Sequence, residues 1–274
     1  MKPYHERITD SKFRVAVDLI DEGEIENLEK YLVQNPEVVH QRVLFDEKGY
    51  FSNPGLLEFI AENPVRHGKL PQNIVEIARV ILEAGAKKNQ QQIDYTLGLV
   101  SSGKVVRECN LQIPLINLLC NYGADPDQAT LPALAHGEFE ATEALVKNGA
   151  KINLPLAAAT GRLADFENLF ILSNPTERHL AVAFAAQHGR AEILKILLQN
   201  GLRSDRYNPK GAHDHSTPLH QAVISGNLEI VKLLVASGMR LDLKDKIYHG
   251  TALDWAVYGK FTEIENYLRT VENI

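Results

Sequence analysis

Three stretches of this chain carry side chains whose types and spacing could do chemistry. The densest is Lys210-Gly211-Ala212-His213-Asp214-His215, with His220 and His249 nearby in sequence. Imidazole and carboxylate are good ligands for first-row divalent metals, and His213 and His215 alternate onto one side of an extended segment. The same residues also describe a polar, turn-forming hairpin tip. A zinc site further needs outer partners to orient its imidazoles, and spacing alone does not supply them. The hairpin tip is the expectation, with no cofactor; the alternative is a metal- or small-ligand-binding protein that uses His213, Asp214 and His215 or a central groove pocket.

The second stretch contains the two cysteines, Cys109 and Cys120. A nucleophilic cysteine needs a histidine base in contact, and none is close in sequence. Cys120 sits beside Leu118 and Leu119 and reads as a small buried hydrophobe. The third is Ser101-Ser102-Gly103-Lys104, which has the tail of a phosphate loop but not its leading glycine. Neither a Gly-x-Ser-x-Gly elbow nor a His-Glu-x-x-His string occurs. No catalytic residue is assigned, and the chain is expected not to be an enzyme.

The elements that must position these residues follow from composition and repetition. The chain has 274 residues, 45% hydrophobic and 23% charged, with 29 basic against 35 acidic side chains and a net charge of −6. That is a globular composition, long enough to bury a core without staples. A mildly acidic chain lacks the basic stripe that nucleic-acid binding requires. Two cysteines exclude both a disulfide framework and a four-cysteine zinc knuckle. The opening Met1-Lys2-Pro3-Tyr4-His5-Glu6-Arg7 has no apolar run of the secretory kind, and no stretch approaches a membrane span. The expectation is a soluble, cytoplasmic monomer without a membrane or nucleic-acid partner.

One apolar triplet, at i, i+3 and i+4, recurs eight times along the chain. It reads Leu28/Tyr31/Leu32, Ile77/Val80/Ile81, Leu115/Leu118/Leu119, Ala141/Ala144/Leu145, Phe166/Leu169/Phe170, Ile193/Ile196/Leu197, Ile230/Leu233/Leu234 and Ile264/Tyr267/Leu268. Each marks one face of a helix. Five are followed four residues later by glycine, which suits a helix end. A second short helical pattern, closed by its own glycine, precedes seven of the eight: Gly23, Gly103, Gly137, Gly161, Gly189, Gly226 and Gly259. Successive triplets are 49, 38, 26, 25, 27, 37 and 34 residues apart. The short steps leave room for two helices and almost no connection, whereas the long ones allow an excursion.

Thr217-Pro218-Leu219-His220-Gln221-Ala222, then Gly226-Asn227-Leu228-Glu229-Ile230-Val231-Lys232-Leu233-Leu234 and Gly238, resembles an ankyrin repeat nearly position for position. Thr251-Ala252-Leu253-Asp254-Trp255-Ala256 is the next copy, and Ala185-Ala186-Gln187-His188-Gly189 and Gly123-Ala124-Asp125 are further hallmarks. The resemblance is strong over 176–274, good over 77–150 and weak over 1–75. It implies an all-α solenoid of about eight helix-turn-helix repeats, with hairpins shortened or absent in the middle ones. It also implies that His220 ties neighbouring repeats together and that Thr217 caps a helix with Pro218 at its first position. The expected organisation is one continuous solenoid over 1–274. Residues 1–40 form an N-terminal cap and 245–274 a C-terminal cap. Residues 41–75 hold an irregular insertion plus the first helix of repeat two, Leu56 to Ala61.

By the same resemblance, the two residues before each mid-repeat glycine point into a concave groove that binds a partner protein. They are Asp21 and Glu22, Ser101 and Ser102, Ala135 and His136, Ala159 and Thr160, Gln187 and His188, Ile224 and Ser225, and the shortened Tyr258. His188, Ile224 and Tyr258 are the expected anchors, since aromatic and well-packed contacts dominate interfaces. The fold is an analogy for function, not a proof of it.

Overall fold

The computed structural model describes residues 7–46, 49–202 and 205–272. The opening Met1–Glu6, read above for its lack of an apolar run, lies outside them. The chain divides into two compact halves, 1–151 and 152–274, each with its own apolar core. Among the described residues all regular structure is helical. An isolated antiparallel bridge between Arg42 and Gly55, inside the insertion, is the nearest approach to a strand.

The N-terminal half holds four repeats. Repeat one is α1 (Ser11–Glu22) and α2 (Ile25–Gln34). Repeat two has a 3-10 segment, Leu56–Ala61, as its first element and α3 (Ile74–Glu83) as its second. Repeat three is α4 (Gln90–Ser101) and α6 (Gln112–Asn121), with a short extra helix, α5 (Lys104–Glu108), between them. Repeat four is α7 (Asp127–Ala135) and α8 (Phe139–Lys147). The C-terminal half holds four more: α9 (Leu154–Thr160) with α10 (Leu163–Phe170), α11 (Pro175–Gln187) with α12 (Ala191–Gln199), α13 (Pro218–Ile224) with α14 (Leu228–Ala236), and α15 (Ala252–Tyr258) with α16 (Thr262–Glu272).

The repeating triplet drives this arrangement. Its first member is buried in all eight repeats, from Leu28 to Ile264. Within each half, first helices pack side by side, as α9 on α11 and α11 on α13, and second helices do the same, as α12 on α14. No helix could hide its apolar stripe alone, so neighbours supply the cover. Small side chains set the close approach: Ala185, Ala222 and Ala256 are all fully buried between first helices.

Two features differ from the sequence expectation. Among the described residues the long connections 200–217 and 237–251 contain no strands; backbone bonds such as Asn208 N–H to Ser216 O and Asp245 N–H to Gly250 O close their turns, and Lys246 N–H to His215 O links the two. The mid-repeat glycines also do not all serve one purpose. Gly259 has φ −75°, and an added Cβ would lie 2.3 Å from the Phe261 ring, so glycine is there for space. The left-handed turn moves one residue on, to Lys260 at φ 58°.

Candidate functional site

In the N-terminal half the residues before the mid-repeat turns have mixed fates. Asp21 is not a free groove residue. Arg66 Nη2 donates to its carboxylate at 2.7 Å and His67 Nε2 lies 3.0 Å from its other oxygen. Burial raises the Asp21 carboxyl above its usual range, and the charges of Arg66 and His67 pull against that. Glu62, fully withdrawn from solvent, accepts the backbone N–H groups of Arg66, His67 and Gly68 and the Arg66 Nε. Asp21, Glu62 and His67 bring three ligand-type atoms within 4.8 Å of one another, a grouping that would suit a metal. The Arg66 guanidinium, however, is already bonded to both carboxylates and supplies the positive charge. The cluster is a buried ionic clamp between repeats one and two. Glu22, its neighbour in the expected row, stays exposed.

Ser101 was expected on the surface and is instead fully buried, with its hydroxyl unpaired. The turn of α4 puts it on the buried side of the helix with Leu97 and Val100, and that removes it from any contact surface. Ser102 is half-buried; its hydroxyl donates to Gly98 O at 2.8 Å and accepts from Asn63 Nδ2 at 3.3 Å. Ala135 and Ala159 are also buried, while His136 is exposed.

Ser102 and His136 do come together, as the rim of a groove. Its walls are one face of α4, running through Gln90, Gln91, Asp94, Tyr95, Gly98 and Leu99, and one face of α7, through Gln128, Pro132 and His136. Tyr50 and Asn63 from the insertion close the third side, around a cavity of about 670 Å³. The Tyr95 hydroxyl donates to the Tyr50 carbonyl. A cleft of about 530 Å³ adjoins it, lined in part by the Arg42–Glu58 ion pair. Sequence reasoning missed Tyr50, Tyr95 and Asp94. The signal was there in the four-residue spacing of Gln90, Asp94 and Gly98 and of Gln91, Tyr95 and Leu99, a largely polar face on a helix read only for its closing Ser101-Ser102-Gly103.

In the C-terminal half, Ile224 and Tyr258 are the last helical residues of α13 and α15, and His188 is the capping residue just past α11; the three helices pack in the order α11, α13, α15. Ile224 is 47% exposed and Tyr258 89% exposed, with Val257 beside it also exposed. His188 stacks on Phe184, their ring centroids 5.9 Å apart. Gln187 Nε2 lies 3.4 Å from His213 Nε2, so the expected groove row meets the histidine-rich loop. Thr160 and Ser225 turn their hydroxyls back onto their own helices, donating to Leu156 O and Ala222 O.

The loop itself is a turn. His213 takes a left-handed backbone, φ 57°, and the His213 and His215 rings meet edge to face at 6.0 Å. His213, Asp214 and His215 do not converge into a ligand set; among the described residues the Asp21 cluster alone does so. His220 is structural: Nδ1 accepts from Thr217 Oγ1 at 2.8 Å and Nε2 donates to Gly250 O at 3.1 Å. Burial lowers its pKa, which favours the neutral ring that this pattern needs. Sequence reasoning also missed Asp245. Burial works to raise its carboxyl, but bonds from Tyr248 N, Trp255 Nε1, Gly250 N and Ile247 N outweigh that and hold it well below the usual carboxylate range. Cys120 is an inert thiol, pushed up to about 11 by burial and by the nearby Asp125 and Asp94 charges.

Comparison with known proteins agrees with this geometry. A family model described as ankyrin repeats (three copies) matches residues 133–245 and 182–273, just over half of the chain. A Notch-regulated ankyrin repeat-containing protein of Xenopus tropicalis is 39% identical over 90 residues, 31% of this chain and 75% of that protein. Ankyrin repeat domain-containing protein 37 of Xenopus tropicalis is 35% identical over 88 residues, 32% of this chain and 51% of that protein. A putative E3 ubiquitin-protein ligase of Arabidopsis thaliana is 30% identical over 96 residues, 35% of this chain but 20% of its own length.

Proposed function

The chain belongs to the ankyrin-repeat family, and from that premise we propose that it is a non-catalytic module binding a partner protein through the faces its first helices leave open. The observation that carries this is the row of His188, Ile224 and Tyr258. Ile224 and Tyr258 are apolar side chains in matching register on neighbouring helices, and the packing of the half does not use them. Exposed apolar side chains that adjoin one another in this way form the kind of patch that a partner protein covers. Within the C-terminal half Thr160, Gln187 and Ser225 would border that contact; within the N-terminal half, Glu22, Ser102 and His136 would offer contacts of their own, supported from beneath by Asp21 and Ser101.

Among the described residues no helix is long and apolar enough to cross a membrane. The net charge argues against nucleic acid as the partner. The test is a triple change, His188→Glu, Ile224→Glu and Tyr258→Ala, checked by circular dichroism for retained helix and by capture from a native lysate. Loss of captured protein with the fold intact is the expected result. Undiminished capture would place binding elsewhere, and loss of fold would show that these side chains belong to the core.

A further inference from the structure

Resting on the reading that this protein binds partner segments in its grooves, we propose that the groove between α4, α7 and Tyr50 takes an extended cationic segment of a partner protein. One lysine or arginine side chain would lie across the Tyr50 and Tyr95 rings with its charge against Asp94.

The groove offers a cation what it needs. Tyr50 is 60% exposed and Tyr95 37%, so aromatic surface is presented rather than packed away. An ammonium or guanidinium within reach of such a ring is attracted by the negative face of its π system. Asp94 lines the same groove as both rings. It accepts from Gln90 Nε2 at 2.8 Å and from Asp125 N at 2.7 Å, but among the described residues no lysine or arginine pairs with it. A carboxylate has about four lone-pair sites, so two neutral donors leave room for a bidentate guanidinium or an ammonium.

The alternatives fare worse. An apolar segment would cover Asp94 without pairing it, and burying an unpaired charge is costly. An acidic segment would be repelled at the site and by the whole half. Residues 1–151 hold 16 lysines and arginines against 22 aspartates and glutamates, a balance of −6, whereas residues 152–274 hold 13 of each. All of the net charge therefore sits in the half that contains this groove, which would steer a basic segment toward it. Gln91 and Gln128 on the two walls each carry a donor and an acceptor, which suits the backbone amides of an extended chain.

The test uses the full chain and a random twelve-residue peptide display library, followed by anisotropy titration of the enriched peptides. Enriched peptides should carry a lysine or arginine, and replacing it with glutamine should weaken binding at least tenfold. Asp94→Asn and Tyr50→Ala in the protein should each weaken it about as much. Glu76→Gln, which removes an exposed carboxylate from α3, should change it less than twofold. Equal losses for Asp94→Asn and Glu76→Gln would reduce the effect to general charge attraction and overturn the site. Enriched peptides without a basic residue that still respond to Tyr50→Ala would overturn the cationic assignment and leave the groove reading standing. Peptides indifferent to both groove changes, or no enrichment at all, would overturn the assignment and count against the groove reading too.

Discussion

The Arg66 guanidinium sits 2.7 Å from the Asp21 carboxylate, 45 residues earlier in the chain, and the Arg66 side chain is 99% withdrawn from solvent. The same guanidinium bonds Glu62 at 3.1 Å and the Phe59 carbonyl at 2.9 Å. Removing it leaves two carboxylates facing each other out of water, so Arg66→Met is expected to cost about 3–5 kcal/mol. The loss should be coupled: Asp21→Asn should cost much less in the Arg66→Met background than alone. Urea titration of the four proteins measures this, and strictly additive losses would contradict the clamp.

His220 joins the cap of α13 to the loop before α15 through two hydrogen bonds. Truncating it to alanine frees Thr217 Oγ1 and leaves the Gly250 carbonyl only the Asp245 N–H. The expected cost is about 1–3 kcal/mol, that of two ordinary hydrogen bonds. Hydrogen exchange should show faster opening of the Gly250 turn before any change in α9 or α10.

Leu197 and Leu234, the closing members of their triplets, are both fully buried. Leu→Ala at either should cost about 2–5 kcal/mol, and the damage should spread mainly to adjoining repeats. A loss below about 1 kcal/mol at both sites would contradict the repeat register.

Acid should destabilise the C-terminal half through His179. Burial, with the Arg206 charge adding to it, lowers its pKa to about 4 from an ordinary 6.5. The unfolded chain therefore binds a proton that the folded one refuses throughout that interval. Stability is full above about pH 6.5 and falls as pH drops toward 4, by up to about 3 kcal/mol for this group. His179→Gln should flatten the part of the pH–stability curve that this histidine causes. An unchanged slope between pH 6.5 and 4 would show that it does not.

How much of this was legible in the sequence depends on how local the cause is. The triplet Ile230/Leu233/Leu234 announces its own helix because a period of 3.6 forces those three side chains onto one face, whatever lies opposite. Thr217-Pro218 announces its start because capping needs only the next three residues. His220 was readable for a related reason: a repeat that recurs fixes its neighbour, so a contact to Gly250 is local in the solenoid though 30 residues distant in the chain.

The tertiary structure alone decided the rest. Whether Ser101 or Ser102 faces outward turns on about 100° of helix rotation, set by how α4 packs against α7 and the Leu56–Ala61 segment rather than by either serine. Asp21 looked like surface charge because nothing in its own helix pairs it; its partners arrive from an insertion that carries no repeat pattern. The Tyr50, Asp94 and Tyr95 wall was equally hidden, since it forms only when that insertion folds back across α4. Sequence determined the repeating helices, where each cause lies within a turn or one repeat. Packing between irregular and regular segments determined the groove, because no periodicity records a contact made only once.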